Sequence, residues 1–175
     1  IRIFHIADAH NRIDGPVSAA KADGEHDLLI LNGDIPNHSG KIEYFAAIHC
    51  IAGEITKGEY PVIFSRGNHD MRGIYAECIQ DHTPTDNGNS YFSVRVGSLW
   101  ALVLDCGEDK PDTNIEYGLP ETGGVANFLP FREAQTDYLR GLIENAYTTY
   151  NAAGITRRVA LCHINFTYTD RPFND

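Results

Sequence analysis

The sequence predicts an α/β protein built around a mostly parallel β-sheet with helices on its faces. Short continuous apolar runs, typical of buried strands, alternate with segments in which apolar residues recur at helical spacing. In the second half, Ser90–Val96 alternates between apolar and polar residues and Leu99–Leu104 is a buried run. This pattern indicates a β-hairpin, which adds an antiparallel or second-sheet component. At 175 residues, the chain is expected to form a single domain over residues 1–175.

The remaining elements follow from the spacing of apolar residues and from the turn residues that end each run. The other predicted strands are Ile1–Ala7, Asp27–Asn32, Val62–Ser65 and Arg158–Leu161. The predicted helices are Val17–Ala22, Lys41–Thr56, Ile74–Gln80 and Arg132–Tyr150. Residues 107–130 are crowded with Pro, Gly and acidic residues, so they predict a long loop that either shapes substrate access or is simply solvated.

Composition restricts the classes of partner. The net charge of −10 argues against nucleic acid, because such binding rests on clustered Lys and Arg. No apolar run approaches the length of a membrane span, so no membrane partner is expected. The four cysteines form no CxxC pair and favour reduced thiols, which gives an expectation of a cytoplasmic location. The chain does not begin with Met, which leaves the earlier removal of a secretion signal open.

Each of the parallel strands is followed by residues of metal-binding type. The blocks are Asp8-Ala9-His10, Gly33-Asp34, Gly67-Asn68-His69-Asp70 and the single His163. Because ligands gather at the carboxyl ends of parallel strands, five scattered side chains are expected to converge there. These side chains are those of Asp8, His10, Asp34, Asn68 and His163.

The local spacings suit metal binding. Residues i and i+2 of an extended chain point to the same side, so Asp8 and His10 could hold one ion together. Gly33 allows a tight turn before Asp34, whose two carboxylate oxygens can bridge two ions. Asn68 offers a neutral oxygen, whereas Cys162 should face away from His163 and is not counted as a ligand.

Taken together, these blocks resemble the signature of the calcineurin-like metallophosphoesterases, which include purple acid phosphatases, Ser/Thr phosphatases and phosphodiesterases. That signature runs D-x-H, G-D, G-N-H-D/E, H and finally G-H-x-H, and the last block is absent from this sequence. The chain is therefore expected to be the N-terminal part of such a domain, or to have lost those ligands. The resemblance implies an αββα sandwich of mixed, largely parallel β-sheets flanked by helices, with the second sheet incomplete.

The resemblance also implies a set of metal ligands. Asp8 and His10 would bind a first ion, Asp34 would bridge both ions, and Asn68 and His163 would bind the second. Nitrogen and oxygen ligands without a thiolate fit Mn, Fe or Zn.

The implied reaction is hydrolysis of phosphomonoesters or phosphodiesters, with a hydroxide that bridges the two ions attacking phosphorus in line. His69 would protonate the leaving oxygen, and Asp70 would orient the His69 ring. The acidic charge favours small phosphoesters over DNA as substrates.

Alternatives remain open. The chain could be a non-catalytic scaffold or an inactive fragment with this fold, although retention of the ligand blocks argues against it. Asn37 and His38 could line the site or lie on a surface loop. Arg66 could contact a substrate phosphate, but an ordinary surface salt bridge is the default. His5 is out of register with Asp8 and is assigned a structural role.

Overall fold

In the computed structural model, which describes residues 1–110 and 127–164, two β-sheets face each other between helices. The strands are β1 (Ile3–Ile6), β2 (Leu28–Asn32), β3 (Val62–Ser65), β4 (Phe92–Val96), β5 (Leu99–Val103) and β6 (Arg157–Leu161). The helices are α1 (Asp14–Asp23), α2 (Ala46–Thr56) and α3 (Leu129–Glu144), and short 3₁₀ turns span Ile42–Phe45, His69–Met71 and Ala76–Asp81. None of these helices is long and apolar enough to cross a membrane.

The two sheets differ in strand direction. The first sheet has the order β1-β2-β3 and is entirely parallel, with β2 buried along its whole length. The second sheet has the order β4-β5-β6, in which β4 and β5 are antiparallel and β6 is parallel to β5. The predicted α/β class with mixed, largely parallel sheets is confirmed.

Alternation along β2 divides the core into two parts. Leu28 and Ile30 face the second sheet and pack with Leu99, Ala101 and Val103. The intervening residues of β2 face the other way and pack with α2; they are Leu29 and Leu31. Burying each such side chain contributes roughly 1.5–3 kcal/mol.

α3 lies on the outer face of the second sheet. The ring of Tyr138 lies 5.4 Å from that of Tyr91, between ring centres, next to β4. Gln135 exchanges two hydrogen bonds with the backbone of Asp105: its Oε1 accepts from the amide nitrogen at 2.9 Å and its Nε2 donates to the carbonyl oxygen at 3.0 Å. The layers therefore run helix, sheet, sheet, helix, as the αββα expectation has them.

Several predicted boundaries differ from the observed ones. The helix predicted over Arg132–Tyr150 begins at Leu129, where Pro130 fits the first turn, and gives way to turns after Glu144. The helix predicted over Lys41–Thr56 is 3₁₀ up to Phe45 and α-helical from Ala46. Of the loop predicted over residues 107–130, residues 111–126 lie outside the described residues.

Candidate metal centre

The loops after β1 and β2 run side by side and continue the strand pairing beyond the sheet. The backbone N–H groups of Asp8, His10 and Asn11 donate to the carbonyl oxygens of Gly33, Asp34 and Ile35 at 3.1, 3.0 and 2.9 Å. These bonds satisfy backbone groups that would otherwise be buried without partners. They also fix Asp8 and His10 relative to Asp34.

The backbone at these positions is unusual. Six described non-glycine residues have positive φ, and four of them are Asp8, His10, Asn11 and Asp34. Such conformations cost about 1–3 kcal/mol each and cluster at functional sites. The explanation that Asp8 and His10 share a side because the chain is extended is therefore wrong. Left-handed turns, rather than a strand, bring His10 Nε2 to 3.9 Å from Asp8 Oδ1.

Two glycines make room for the side chains of the site. Gly33 has a φ of 81°, and a Cβ atom there would lie 2.5 Å from Cγ of His163. A Cβ atom on Gly67 would overlap the carboxylate and amide nitrogen of Asp34. Gly33 therefore serves both the turn expected from the sequence and the approach of a histidine from the other sheet.

His163 reaches the site from the second sheet, directly after β6. Its Nδ1 lies 2.7 Å from the carbonyl oxygen of Asn32, which can only accept, so Nδ1 donates and Nε2 faces the carboxylates. Nε2 lies 3.3 Å from Oδ2 of Asp34 and 3.9 Å from Oδ1 of Asp8. This pattern, in which one ring nitrogen is fixed by a carbonyl, is typical of histidines that bind metals.

Asp34 is common to two groups of possible ligand atoms, in each of which the atoms lie within 4.8 Å of one another. One group consists of Asp8, Asp34 and His163, and the other of His10, Asp34 and His69. Asp8 lies between two of these histidines, because its Oδ1 is 3.9 Å from Nε2 of His10 and 3.9 Å from Nε2 of His163. His69 Nε2 is 4.0 Å from Asp34 Oδ2, and the His10 and His69 rings are edge to face at 4.8 Å.

Asn68 is buried beside these groups, immediately before the 3₁₀ turn that contains His69. Its side-chain nitrogen donates to Oδ1 of Asp109 at 3.3 Å. The side-chain oxygen of Asn68 is therefore the atom that could bind a cation.

Within the described residues, Asp70 makes no hydrogen bond to the His69 ring that the resemblance implies it orients. Its Oδ2 accepts from the backbone N–H groups of Gly67 at 2.6 Å and Asp34 at 3.0 Å. The His69 ring is held instead by the carbonyl oxygen of Asn37, 2.8 Å from Nδ1, and by Arg72, whose Nη1 lies 3.0 Å from Nε2. Asp70 fixes the backbone of the two loops because it is buried between them.

The electrostatics of the site depend on burial and on close partners. Burial acts to raise the pKa of Asp34, but the hydrogen bonds and charges of His163 and His69 together outweigh it and hold that pKa below its ordinary value. Burial acts to lower the pKa of His163, but the hydrogen bond and charge of Asp34 raise it to about 9. For Asp70, burial raises the pKa to about 7 despite the backbone donors.

A cluster that sequence analysis missed flanks His69. Arg72 donates to the Glu108 carboxylate through Nε at 2.7 Å and Nη2 at 2.6 Å, and Nη2 also donates to Oδ1 of Asp109 at 2.9 Å. We call Arg72, Glu108 and Asp109 the Arg72 cluster. The only sequence signal was the position of Arg72 three residues after His69, one helical turn further along.

The default interpretation of Arg66 as a surface salt bridge is also wrong. Arg66 forms an ion pair with Asp105 in which both side chains are buried. Asn37 lies at the candidate site, because its carbonyl oxygen accepts from His69.

The described residues fit a metal ion. His10 Nδ1, Asn11 Oδ1 and Asp70 Oδ1 are buried polar atoms that have no hydrogen-bond partner in the described part of the chain. Such atoms are rare in folded proteins and require an explanation. The two groups around Asp34 contain only nitrogen and oxygen ligands, which suits Mn, Fe or Zn.

Comparison with known proteins agrees with this donor set. A family model described as calcineurin-like phosphoesterase matches residues 1–170. No curated protein matches the chain.

Proposed function

Because the chain belongs to the calcineurin-like phosphoesterase family, we propose that it hydrolyses small phosphomonoesters or phosphodiesters with two bound metal ions. Metal-dependent hydrolysis of phosphoesters is the general activity of this family. The observation that carries the proposal is the position of Asp34, whose carboxylate belongs to both groups of possible ligand atoms. A carboxylate in that position can serve two cations at once.

The proposed ligands are Asp8, His10, Asp34, Asn68 and His163, with Mn, Fe or Zn as the metal. When bound, the ions would supply the positive charge that polarises a phosphoryl oxygen and makes water acidic enough to act as a nucleophile. The protein holds the ligands in place through the paired loops and through the bond between His163 and Asn32. Asp70 would contribute indirectly, because it positions the amide groups of Gly67 and Asp34.

His69 is the proposed proton donor to the leaving oxygen. Its Nδ1 donates to the carbonyl oxygen of Asn37, so only Nε2 can face a substrate. Arginine only donates, and therefore Nε2 accepts from Arg72 in this arrangement. Proton delivery by His69 thus requires a proton on Nε2 and a rotation of Arg72 away from the ring.

The proposed substrates are small molecules. The chain carries 24 acidic and 14 basic residues, and this balance disfavours the extended phosphate backbone of nucleic acid. A single phosphoester group needs no basic surface, since the metal ions provide the local positive charge.

The test is Mn²⁺-dependent hydrolysis of 4-nitrophenyl phosphate and of its diester, with and without a chelator. Asp34→Asn should lower kcat/KM by more than about 100-fold, because losing a shared ligand exceeds the 10–100-fold loss typical when a partner of a ligand is removed. The matched control is Asp137→Asn, which changes an exposed carboxylate on α3 and should leave the rate unchanged. Metal binding without turnover would instead favour the non-catalytic scaffold.

A further inference from the structure

A pocket of about 1010 Å³ opens directly beside the candidate metal centre. Its lining includes His69 and Arg72, which belong to the candidate site, and the rings of Phe128 and Phe131. Pockets of roughly 300–1000 Å³ hold drug-sized ligands, whereas a phosphoryl group occupies a small part of that space. The pocket is therefore large enough for the organic part of a phosphoester.

The aromatic wall of the pocket is fixed before any ligand arrives. The Phe131 ring lies 5.7 Å from the Tyr91 ring, between centres, and the Arg66 guanidinium lies 5.7 Å from the Phe131 ring centre. The Phe128 ring is buried, with the guanidinium of Arg132 at 5.8 Å from its centre. Such contacts hold the rings in place, and aromatic rings stack favourably with other flat groups.

The balance of charges around the pocket favours an uncharged ligand group. Two arginines line the pocket, but Arg66 is paired with Asp105 and Arg72 with Glu108 and Asp109. Each cation is therefore offset by carboxylates within its own cluster. A second phosphate would lack the excess positive charge that anion binding needs, whereas a neutral ring would not require it.

We propose that this pocket is the leaving-group subsite and accepts a flat aromatic group, either an aryl ring or the base of a nucleoside. The inference rests on the proposed function, because His69, the proposed proton donor to the leaving oxygen, lines both the metal centre and the pocket. A leaving oxygen beside His69 places the rest of the alcohol in the pocket that Phe131 also lines. The reaction is hydrolysis: water adds to phosphorus, the P–O bond to the alcohol breaks, and the alcohol leaves with a proton.

The first experiment compares substrates on one variant. Phe131→Ala should lower kcat/KM about 10-fold, or ~1.4 kcal/mol, for 4-nitrophenyl phosphate and for adenosine 5′-phosphate, and should leave ethyl phosphate unaffected. Each comparison uses one substrate, so differences in leaving-group chemistry cancel. A defect with 4-nitrophenyl phosphate alone identifies an aryl ester, and a defect with adenosine 5′-phosphate alone identifies a nucleoside ester. An equal loss on all three substrates would overturn the proposal.

Two further variants control for folding and for ring chemistry. Tyr147→Ala removes an aromatic side chain that is 87% exposed and lies outside the pocket, and it should change none of the three rates. Phe131→Leu keeps an apolar side chain but removes the flat face. If the Leu variant restores the wild-type rate on aromatic substrates, the pocket is merely apolar and the proposal fails.

A binding measurement separates this inference from the proposed function. Adenosine and 4-nitrophenol contain no phosphate, and one of them should bind the metal-loaded protein in binding titrations, with about 10-fold weaker binding to Phe131→Ala. The protein could hydrolyse all three esters, bind neither probe and show no selective effect of Phe131→Ala. That result would overturn the pocket proposal and leave the hydrolase proposal intact. Binding of a probe without hydrolysis of any ester would overturn the hydrolase proposal and leave the pocket only as a binding site for a flat aromatic group.

Discussion

Arg66 and Arg72 lie on either side of the block Gly67-Asn68-His69-Asp70, and their surroundings differ. Arg66 precedes Gly67 and forms its ion pair with Asp105, and the two side chains are 4% and 0% exposed. Arg72 follows the 3₁₀ turn, is 14% exposed, and contacts His69 as well as two carboxylates. Both arginines pair with acidic residues in the segment that follows β5.

The Arg66–Asp105 pair and the Arg72 cluster differ in the other residues that they contact. Asp105 also accepts from the hydroxyl of Ser90 at 2.5 Å and bonds through its backbone to Gln135 of α3, so its cluster ties the two sheets to a helix. The Arg72 cluster instead borders the candidate metal centre through His69. Similar ion pairs thus indicate a role in stability in one place and a role at the site in the other.

The largest effect is expected from breaking the buried pair. Arg66→Ala should lower the free energy of unfolding by about 3–5 kcal/mol, because it leaves Asp105 as a buried charge without its cation. Urea denaturation measures this loss. Arg140→Ala, which removes an exposed ion pair with Asp137, serves as the control and should have no measurable effect. A loss below about 1 kcal/mol for Arg66→Ala would contradict the structural role.

A smaller effect, measured mainly as a loss of catalysis, is expected at Arg72. Arg72→Ala should reduce kcat/KM for 4-nitrophenyl phosphate by about 10–100-fold, because Glu108 and Asp109 lose their cation and would repel an anionic substrate. Steady-state kinetics on folded protein provides the measurement. Arg72→Lys keeps the charge but loses the paired bonds to Glu108, so it should fall between wild type and Arg72→Ala. Wild-type kinetics in Arg72→Ala would remove the distinction between the two arginines.

Ser90→Ala tests whether the cluster around Asp105 contributes to stability without contributing to activity. Removing one of the donors to Asp105 should lower the free energy of unfolding by about 1 kcal/mol, since Arg66 still pairs with the carboxylate. Activity should not change, because Ser90 belongs to the buried pair and not to the site. Thermal unfolding and the phosphatase assay, run together, test both statements. Lost activity in a stable Ser90 variant would refute the separation.

The smallest expected effect is on how the stability of Arg72→Ala depends on pH. Burial raises the pKa of Glu108 above its ordinary value although Arg72 acts to lower it, so Arg72→Ala should raise this pKa further. A carboxyl group with a raised folded-state pKa gains stability as the pH falls through that value toward the unfolded value of about 4.5. The stability difference between Arg72→Ala and wild type should therefore be smaller at pH 5 than at pH 8, as measured by urea denaturation. A difference independent of pH would contradict this assignment.

The elements that were predicted well have strong local signals. The bounds of β3 were predicted to the residue, because an apolar run ends at a polar residue and a glycine. The close approach of Asp8, His10, Asp34 and His163 follows from the rule that strand ends gather in α/β folds. β6 was predicted as a strand without a pairing partner, and it lies beside β5 in the second sheet. An apolar run shows that a strand is buried and does not show which partner it takes.

The Arg72 cluster was missed for a different reason. Arg72 and Glu108 are 36 residues apart, and neither lies in a periodic segment. Charged residues in loops have no spacing signal that identifies their partners. The left-handed backbone at Asp8 and His10 was missed as well, because a D-x-H block fits an extended chain and a turn equally well.

The hydrogen bond between His163 and Asn32 joins residues 131 positions apart in the chain. A nascent or partly unfolded polypeptide therefore lacks the complete set of proposed ligands, and under the proposed function only the fully assembled sandwich would hold cations tightly. A metal ion that binds only the native form stabilises that form by mass action. The metal would therefore stabilise the packing of the two sheets against each other. Chelation should then loosen the packing of one sheet on the other, well beyond the few side chains that touch the ion.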